Sequence, residues 1–458
     1  MTMMDIETDA DADALARPTT FADDRAHVFR SWSAQRQLSP MVVAGGSGSW
    51  FWDDAGRRYL DLSSQRVNLN LGHQHPRLVA AIAQQAGVMT TIGQIHATEP
   101  RSTAARLIAE RTPGDLDQIF FTNCGTDAVE HAVRMATAHT GRHKIFTMHR
   151  SYHGSTAGSL TLTGDPRRWG VEPGLPGVVR FIGPYLYRSS FGSRTPAEER
   201  ERSLAHLEEL LSYERPESVA AILLETVVGS NGVLMPPDGY LAGVRSICDR
   251  HGIVMICDEV MTGFGRCGEW FAVDRWGVTP DLITFAKGVN SGYVPLGGIA
   301  ISRRIAETFA DRPFLGGGTY YGHPLACATA VESIRVFEDD AILARVRRLG
   351  DDILGPGLRT LAERHPSVGE VRGTGAFWVL ELVKNRETRE RLVPFGASGA
   401  AARPMNDVAR ACLERGVSTL MLENRVHVCP PLIISDEDAQ LGLTVLDDAL
   451  AVADRYVA

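Results

Sequence analysis

The 458-residue sequence has no apolar run long enough to span a membrane, and its first residues lack the basic segment of a secretory signal peptide. We therefore expect a cytoplasmic protein with no membrane partner. Its seven cysteines are scattered, odd in number and without a C-x-x-C spacing. This pattern predicts reduced, packed thiols and argues against a disulfide framework or a zinc site.

The sequence also lacks a strong charge of one sign, internal repeats and low-complexity linkers. A net charge of −8 and a pI near 6.0 give no reason to expect nucleic acid as a partner. The hydrophobic content of 44% is that of a globular protein, and the length predicts two or three domains. Together these features favour chemistry on small molecules.

Short apolar runs alternate with helical patterns between residues 75 and 345, which predicts an α/β fold with a mainly parallel sheet covered on both faces. After residue 345 the pattern changes to that of a smaller α+β domain. The expected divisions are a mobile N-terminal arm (1–20), a segment packing with the small domain (21–74), a large domain (75–345) and the small domain (346–458).

Two charged residues follow apolar runs: Asp258 comes after 253–257 and Lys287 after 282–286. Such residues are often ordinary surface groups. Pyridoxal phosphate, however, requires an acid beside its pyridine nitrogen and an amine for the Schiff base. The apolar flanks of Lys287 predict a partly desolvated amine with a lowered pKa. Because ligands bind beyond the carboxyl ends of parallel strands, we expect Glu225, Asp258 and Lys287 to meet in one cofactor site, with no metal.

Three loops could complete this site. Gly125 and Thr126 open a helix after a strand, where free N–H groups could bind a phosphate, although an ordinary capped helix fits equally well. Tyr152 could stack on a planar ring, or it could be a structural loop aromatic. Three glycines precede Thr319, so this backbone could approach a phosphate closely, or it could form a plain turn.

From Gly48 onward the chain resembles the class III, fold type I, pyridoxal phosphate-dependent aminotransferases. The segments that carry the resemblance are 52–61, 71–76, 151–155, 258–266, 285–288, 319–324 and 371–375. The resemblance implies a large domain with a mainly parallel seven-stranded sheet, a small α+β domain, and a homodimer with shared active sites.

The resemblance also implies roles for individual residues. Lys287 would be the Schiff-base lysine and proton carrier, and Asp258 would pair with the pyridine nitrogen. Val260 and Tyr152 would cover the two ring faces, and Thr319 would reach the phosphate from the partner subunit. The implied cofactor-binding residues are Gly125, Thr126, Tyr152, His153, Glu225, Asp258, Val260, Lys287 and Thr319.

Within the family the chain looks most like the ω-amino acid transaminases. This likeness implies ping-pong transfer of an amino group from taurine, β-alanine or a similar amine to pyruvate or 2-oxoglutarate. The pattern breaks where the γ-aminobutyrate and ornithine group has a substrate-binding arginine and its glutamate partner, because His427 and Ser230 stand there. Arg425 is the nearest replacement on that strand.

Arg66 is a second candidate for binding the acid group of the substrate, since the corresponding position in the family is usually apolar or aromatic and lines the substrate pocket. A guanidinium there could bind a carboxylate or sulfonate, or it could face solvent or pair with Glu423. Two other functions stay open. The same residues could serve a racemase, aminomutase or decarboxylase. The glycines at 45–48 could instead mark a non-enzymatic phosphate-binding protein, but they lack a preceding strand and a following helix.

Overall fold

The structure, a computed structural model, describes residues 19–458. The strands are β1 (Val43–Ser47), β2 (Trp50–Asp53), β3 (Arg58–Asp61), β4 (Gln118–Thr122), β5 (Lys144–Met148), β6 (Val178–Phe181), β7 (Val219–Glu225), β8 (Val254–Asp258), β9 (Leu282–Phe285), β10 (Gly297–Ile301), β11 (Val368–Thr374), β12 (Phe377–Asn385), β13 (Glu390–Arg391), β14 (Val417–Ser418), β15 (Leu420–Leu422) and β16 (Arg425–Val428).

The helices are α1 (Thr19–His27), α2 (Ser64–Val67), α3 (Pro76–Val88), α4 (Glu99–Ala109), α5 (Gly125–Thr140), α6 (Ala157–Leu162), α7 (Pro196–Glu214), α8 (Tyr240–His251), α9 (Arg303–Glu307), α10 (Pro324–Asp339), α11 (Ile342–Arg348), α12 (Gly355–Arg364), α13 (Arg403–Glu414) and α14 (Asp436–Asp454). No helix in this described part of the chain is long and apolar enough to cross a membrane. Most of the expected N-terminal arm, residues 1–18, lies outside the described residues.

The central sheet has the strand order β4-β10-β9-β8-β7-β5-β6. Strand β10 runs antiparallel to both of its neighbours, and the other neighbouring strands are parallel. Strands β7 and β8 are buried along their whole length, as expected for a sheet covered on both faces. The predicted α/β fold with a mainly parallel seven-stranded sheet is confirmed.

Alternation of side chains along β8 assigns its residues to the two faces of this sheet. Val254 and Ile256 pack in one core with Ala132 of α5, whereas Met255 packs in the other core with Val244 of α8. Residues 256 and 258 therefore point to the same side. This periodicity carries Asp258 to the face covered by α5.

Two smaller sheets flank the central one. The first has the order β1-β2-β3-β14 and joins N-terminal strands to a C-terminal one, with Val417 of β14 opposite Leu60 of β3 in parallel register. The second has the order β11-β12-β16-β15, with β13 paired to β12. Gly45 lies within β1 and Gly48 follows it, so this cluster does not lead into a helix. The domain boundaries stay a prediction.

The side chain of Arg266 connects these layers. It is fully buried, and no carboxylate among the described residues hydrogen-bonds to it. Its guanidinium donates to the carbonyl oxygens of Ala376 at 3.1 Å and Pro430 at 2.6 Å, and to Oδ1 of Asn70 at 2.7 Å. One side chain thus links the loop after β8 to the segment after β3 and to the C-terminal sheet.

Candidate active site

A cavity of about 310 Å³ opens at the carboxyl ends of β7, β8 and β9, beside the start of α5. Its wall includes eight of the predicted site residues: Gly125, Thr126, Tyr152, His153, Glu225, Asp258, Val260 and Lys287. Thr319, Arg66 and Arg425 are described but are not part of this wall. The structure therefore brings together the residues predicted for ring and phosphate, and leaves the predicted anion-binding residues outside the cavity itself.

Lys287 begins a short 3₁₀ turn (Lys287–Asn290) directly after β9 and Ala286. Its φ of 44° is unusual for a residue with a side chain, and strained backbone of this kind concentrates at functional sites. Burial lowers the pKa of the Lys287 amine to about 8, although Asp258 and Glu225 nearby act in the opposite direction. An amine with this pKa is partly neutral at physiological pH, so it can act as a nucleophile and as a base.

Asp258 is held from two sides. Nδ1 of His153 donates to its Oδ2 at 2.7 Å, and the backbone N–H of Val260 donates to its Oδ1 at 3.0 Å. Both Asp258 and His153 are buried, and Nε2 of His153 has no hydrogen-bond partner among the described residues. A carboxylate fixed in this way is suited to pair with a cationic ring nitrogen.

Glu225 lies beside Asp258 in the neighbouring strand, in direct register. It accepts hydrogen bonds from the backbone N–H groups of Tyr152 and Gly229, each at 2.9 Å. Burial raises the pKa of Glu225 to about 7, and the neighbouring Asp258 acts in the same direction. Glu225 therefore fixes the loop that carries Tyr152 and keeps a proton more readily than an exposed glutamate does.

The start of α5 packs closely against Val260, and only glycine at position 125 allows this approach. A Cβ at that position would lie 2.8 Å from both Cγ1 and Cγ2 of Val260, well inside contact distance. The helix therefore begins directly against the side chain that borders the ring space. Oγ1 of Thr126 accepts from the backbone N–H of Ser155 at 3.3 Å, which joins this helix start to the Tyr152 loop. The free N–H groups and the dipole of α5 suit a phosphate dianion.

Comparison with known proteins agrees with this geometry. The family model for class-III aminotransferases matches residues 32–450. The chain belongs to the class-III aminotransferases. The 5-aminovalerate aminotransferase of Pseudomonas aeruginosa is 34% identical, over 90% of this chain and 93% of that protein. The fold, the transaminase class and the family resemblance expected from the sequence are thereby confirmed.

Two solved structures are also similar to this aminotransferase. The taurine:2-oxoglutarate aminotransferase of Bifidobacterium kashiwanohense, in complex with PLP and glutamate, is 41% identical with a TM-score of 0.92, over 96% of this chain and 98% of that one. An (S)-enantioselective ω-transaminase of Thermomicrobium roseum is 35% identical with a TM-score of 0.89, over 95% and 98%. The cofactor of the family is pyridoxal phosphate, and the buried lysine, the fixed carboxylate and the glycine helix start fit it.

The arginine predicted on the C-terminal strand is buried beside a carboxylate. Arg425 is 3% exposed, its Nη2 lies 2.9 Å from Oε2 of Glu423, and its stem packs against Gly232. Nε2 of His427 lies 3.3 Å from the carbonyl oxygen of Gly229, and burial lowers the pKa of His427 to about 3. His427, which stands where the family pattern predicts an arginine, is therefore a neutral imidazole.

Arg66 lies in the distorted helix α2, where residues 65 and 66 have non-helical backbone angles. Burial lowers its pKa, and so does the nearby Arg167, while Tyr152 acts in the opposite direction. Arg66 therefore lies close enough to Arg167 and Tyr152 for their charges to act on it.

Arg167 itself was missed from the sequence. Asp165 followed by Pro166 signals the start of a helix at this point, but nothing local indicates that the next side chain reaches the Tyr152 ring.

Proposed function

We propose that this aminotransferase takes its amino group from an ω-amino acid such as taurine or β-alanine and passes it to pyruvate or 2-oxoglutarate by a ping-pong reaction. The observation that carries the proposal is the Lys287 amine, which lies in a cavity with Asp258 and has a pKa of about 8. The substrate class is supported by the 41% identity to a taurine:2-oxoglutarate aminotransferase and by cationic side chains near Tyr152.

Pyridoxal phosphate, when bound, supplies an electron sink for the charge left when the substrate carbon loses a proton. Asp258 keeps the ring nitrogen protonated, and the hydrogen bond from His153 holds Asp258 in place for this task. Lys287 carries the proton away from the substrate carbon, for which an amine with a pKa near 8 is suited at neutral pH. Val260 and Tyr152 would hold the ring, and Gly125 and Thr126 would bind the phosphate.

Visible absorption of the purified enzyme tests the proposal, with Lys287→Ala as the control. Addition of taurine or β-alanine should abolish the absorption band of the lysine-bound cofactor, and one of the two oxo acids should restore it. Product analysis should show one amino acid formed for each oxo acid consumed. Turnover of an amine without any acceptor would instead support a racemase, aminomutase or decarboxylase.

We propose further that two copies form a homodimer in which Thr319 completes the partner's site. Thr319 lies outside the cavity of its own subunit, beside the exposed apolar side chains of Leu315 and Tyr320. Gln94 donates a hydrogen bond to the carbonyl oxygen of Gly318, and the neighbouring Ile95 is 91% exposed. Exposed apolar side chains near one another in this way are typical of an interface.

Mixed dimers test this arrangement. A dimer of one Lys287→Ala subunit and one Thr319→Val subunit keeps a complete site if Thr319 acts on the partner, and it keeps none if Thr319 acts within its own subunit. Activity recovered after mixing two inactive variants supports the proposal, and no recovery contradicts it. We also propose a cytoplasmic location, which cell fractionation would check.

A further inference from the structure

We propose that Arg167 binds the acid group of the amino donor, with Asp165 and Ser230 as its positioning residues. This inference rests on the proposed function and names the residue that would select an ω-amino acid over a neutral amine. The side chain lies in the 3₁₀ helix that follows the Tyr152 loop, Pro166–Val171. It therefore belongs to neither of the two segments that the sequence singled out for anion binding.

The first observation is its place against Tyr152. The guanidinium carbon of Arg167 lies 3.6 Å from the centroid of the Tyr152 ring, and Tyr152 is part of the cavity wall. Stacking of this kind leaves the N–H groups at the edge of the guanidinium plane free to donate to an anion. Arg167 thus packs against a residue of the cavity wall.

The second observation is that the guanidinium is held on one edge only. Its Nε donates to Oδ2 of Asp165 at 2.9 Å, and its Nη2 donates to Oγ of Ser230 at 2.9 Å. Asp165 is 1% exposed and is itself fixed by Asn231, whose Nδ2 donates to it at 2.9 Å. No described group hydrogen-bonds to Nη1, and the side chain is 17% exposed. A donor preorganised in this way binds an anion without first losing conformational freedom.

The third observation is electrostatic. The positive charges of Arg167 and Arg66 both act on the Lys287 amine, each lowering its pKa in addition to the larger effect of burial. On a two-carbon chain the amine nitrogen and an acid oxygen are only about 4–5 Å apart. A donor that presents its amine near Lys287 can therefore extend its acid group toward these cations.

Ser230 explains why this arrangement differs from that of relatives. In the pattern of the γ-aminobutyrate and ornithine group, a glutamate at this position pairs with the substrate-binding arginine. Ser230 supplies a hydroxyl instead, and its Oγ accepts a hydrogen bond from Nη2 of Arg167. Meanwhile Arg425 is paired with Glu423. Recognition of the acid group is thereby assigned to the 3₁₀ helix Pro166–Val171 and not to the C-terminal strand.

A different role is conceivable for the same contacts, since Arg167 could act only by holding Tyr152 in place. The two roles differ in substrate dependence. A residue that positions Tyr152 affects every amino donor equally, whereas a residue that binds the acid group affects only donors that have one. Matched donor pairs therefore separate them: β-alanine with propylamine, and taurine with 2-methoxyethylamine.

The experiment compares Arg167→Leu and Arg167→Lys with Arg168→Leu as the matched control. Arg168 is the next residue in the same helix, and its Nε pairs with Glu172 at 3.1 Å. For Arg167→Leu we expect KM for taurine and β-alanine to rise roughly 10- to 100-fold, with neutral amines changed less than about threefold. Arg167→Lys should recover part of the loss, and the control should match the unaltered enzyme.

Calorimetry with propanoate and ethanesulfonate, which carry the acid but no amine, gives a readout independent of turnover. Both acids should bind the unaltered enzyme and bind Arg167→Leu at least roughly tenfold more weakly. If Arg167→Leu does not fold, Ser230→Ala removes one positioning hydrogen bond and should give a smaller loss in the same direction. Equal loss with charged and neutral donors, or unchanged binding of both acids, would overturn the proposal. If Arg167→Leu weakens acid binding but the unaltered enzyme turns over none of the donors, the role of Arg167 in acid binding stands and the proposed substrates are refuted.

Discussion

The contact between Gly125 and Val260 allows one change and its rescue to be worked out from distances. In Gly125→Ala the new methyl carbon would lie 2.8 Å from both γ-carbons of Val260, whereas carbons normally pack at about 3.5–4.0 Å. Neither methyl can move away without moving the other. Either α5 shifts or Val260 does, and each forms part of the proposed cofactor site. Overpacking of this kind costs about 1–3 kcal/mol.

We therefore expect Gly125→Ala to weaken binding of pyridoxal phosphate roughly 10- to 100-fold. Adding Val260→Ala should rescue much of this loss, because the nearest remaining atom is Cβ of residue 260 at 3.4 Å, an ordinary contact distance. Titration of the apoenzyme with cofactor, followed by absorbance, measures the affinities, and thermal melting of the apoenzymes shows that both variants fold. Unchanged affinity in the single variant, or a double variant as weak as the single one, would refute the argument.

Three further outcomes follow from individual side chains. The chain has three lysines, Lys144, Lys287 and Lys384, so amine labelling of the apoenzyme can be followed at each of them by mass spectrometry. Labelling of Lys287 should increase as the pH rises through about 8, because its pKa is lowered. A midpoint near 10 would contradict the lowered pKa. Arg266→Met leaves the buried carbonyl oxygens of Ala376 and Pro430 without this donor, and it should lower the free energy of unfolding by about 3–5 kcal/mol. The Tm should then fall by several degrees. An unchanged Tm would show that these hydrogen bonds contribute little. Replacing the pair by Glu423→Gln with Arg425→Met should leave KM for β-alanine within about threefold, and a larger rise would return anion binding to Arg425.

The sheet was predictable where burial produces a continuous apolar run. Strand β7 reads as such a run from Val219 to Glu225, and every residue in it is buried. Strand β10 begins with two glycines, and β6 is four residues long with an arginine in third place, so neither stands out as a strand. Pairing with neighbouring strands stabilises β6 and β10, and their own sequences do not mark them as strands. The total of seven strands could therefore be expected only from the family resemblance.

That Asp258 and Lys287 meet in one cavity was predictable for a different reason. Asp258 ends β8 and Lys287 comes shortly after β9, and parallel strands that end at one edge of a sheet bring such residues together whatever the loops do. The backbone therefore determines the meeting of these two side chains, and sequence position reports it directly.

Arg167 shows where that reasoning stops. Its position depends on Asp165 and Ser230, which are far apart in the sequence, and on the flat face of Tyr152. No periodicity encodes a contact between three loops. The absence of a glutamate at position 230 was visible in the sequence, but only the structure shows that the Ser230 hydroxyl accepts a hydrogen bond from Arg167. A departure from the family pattern therefore shows which contact is absent. The folded structure is needed to find a candidate for the contact that replaces it.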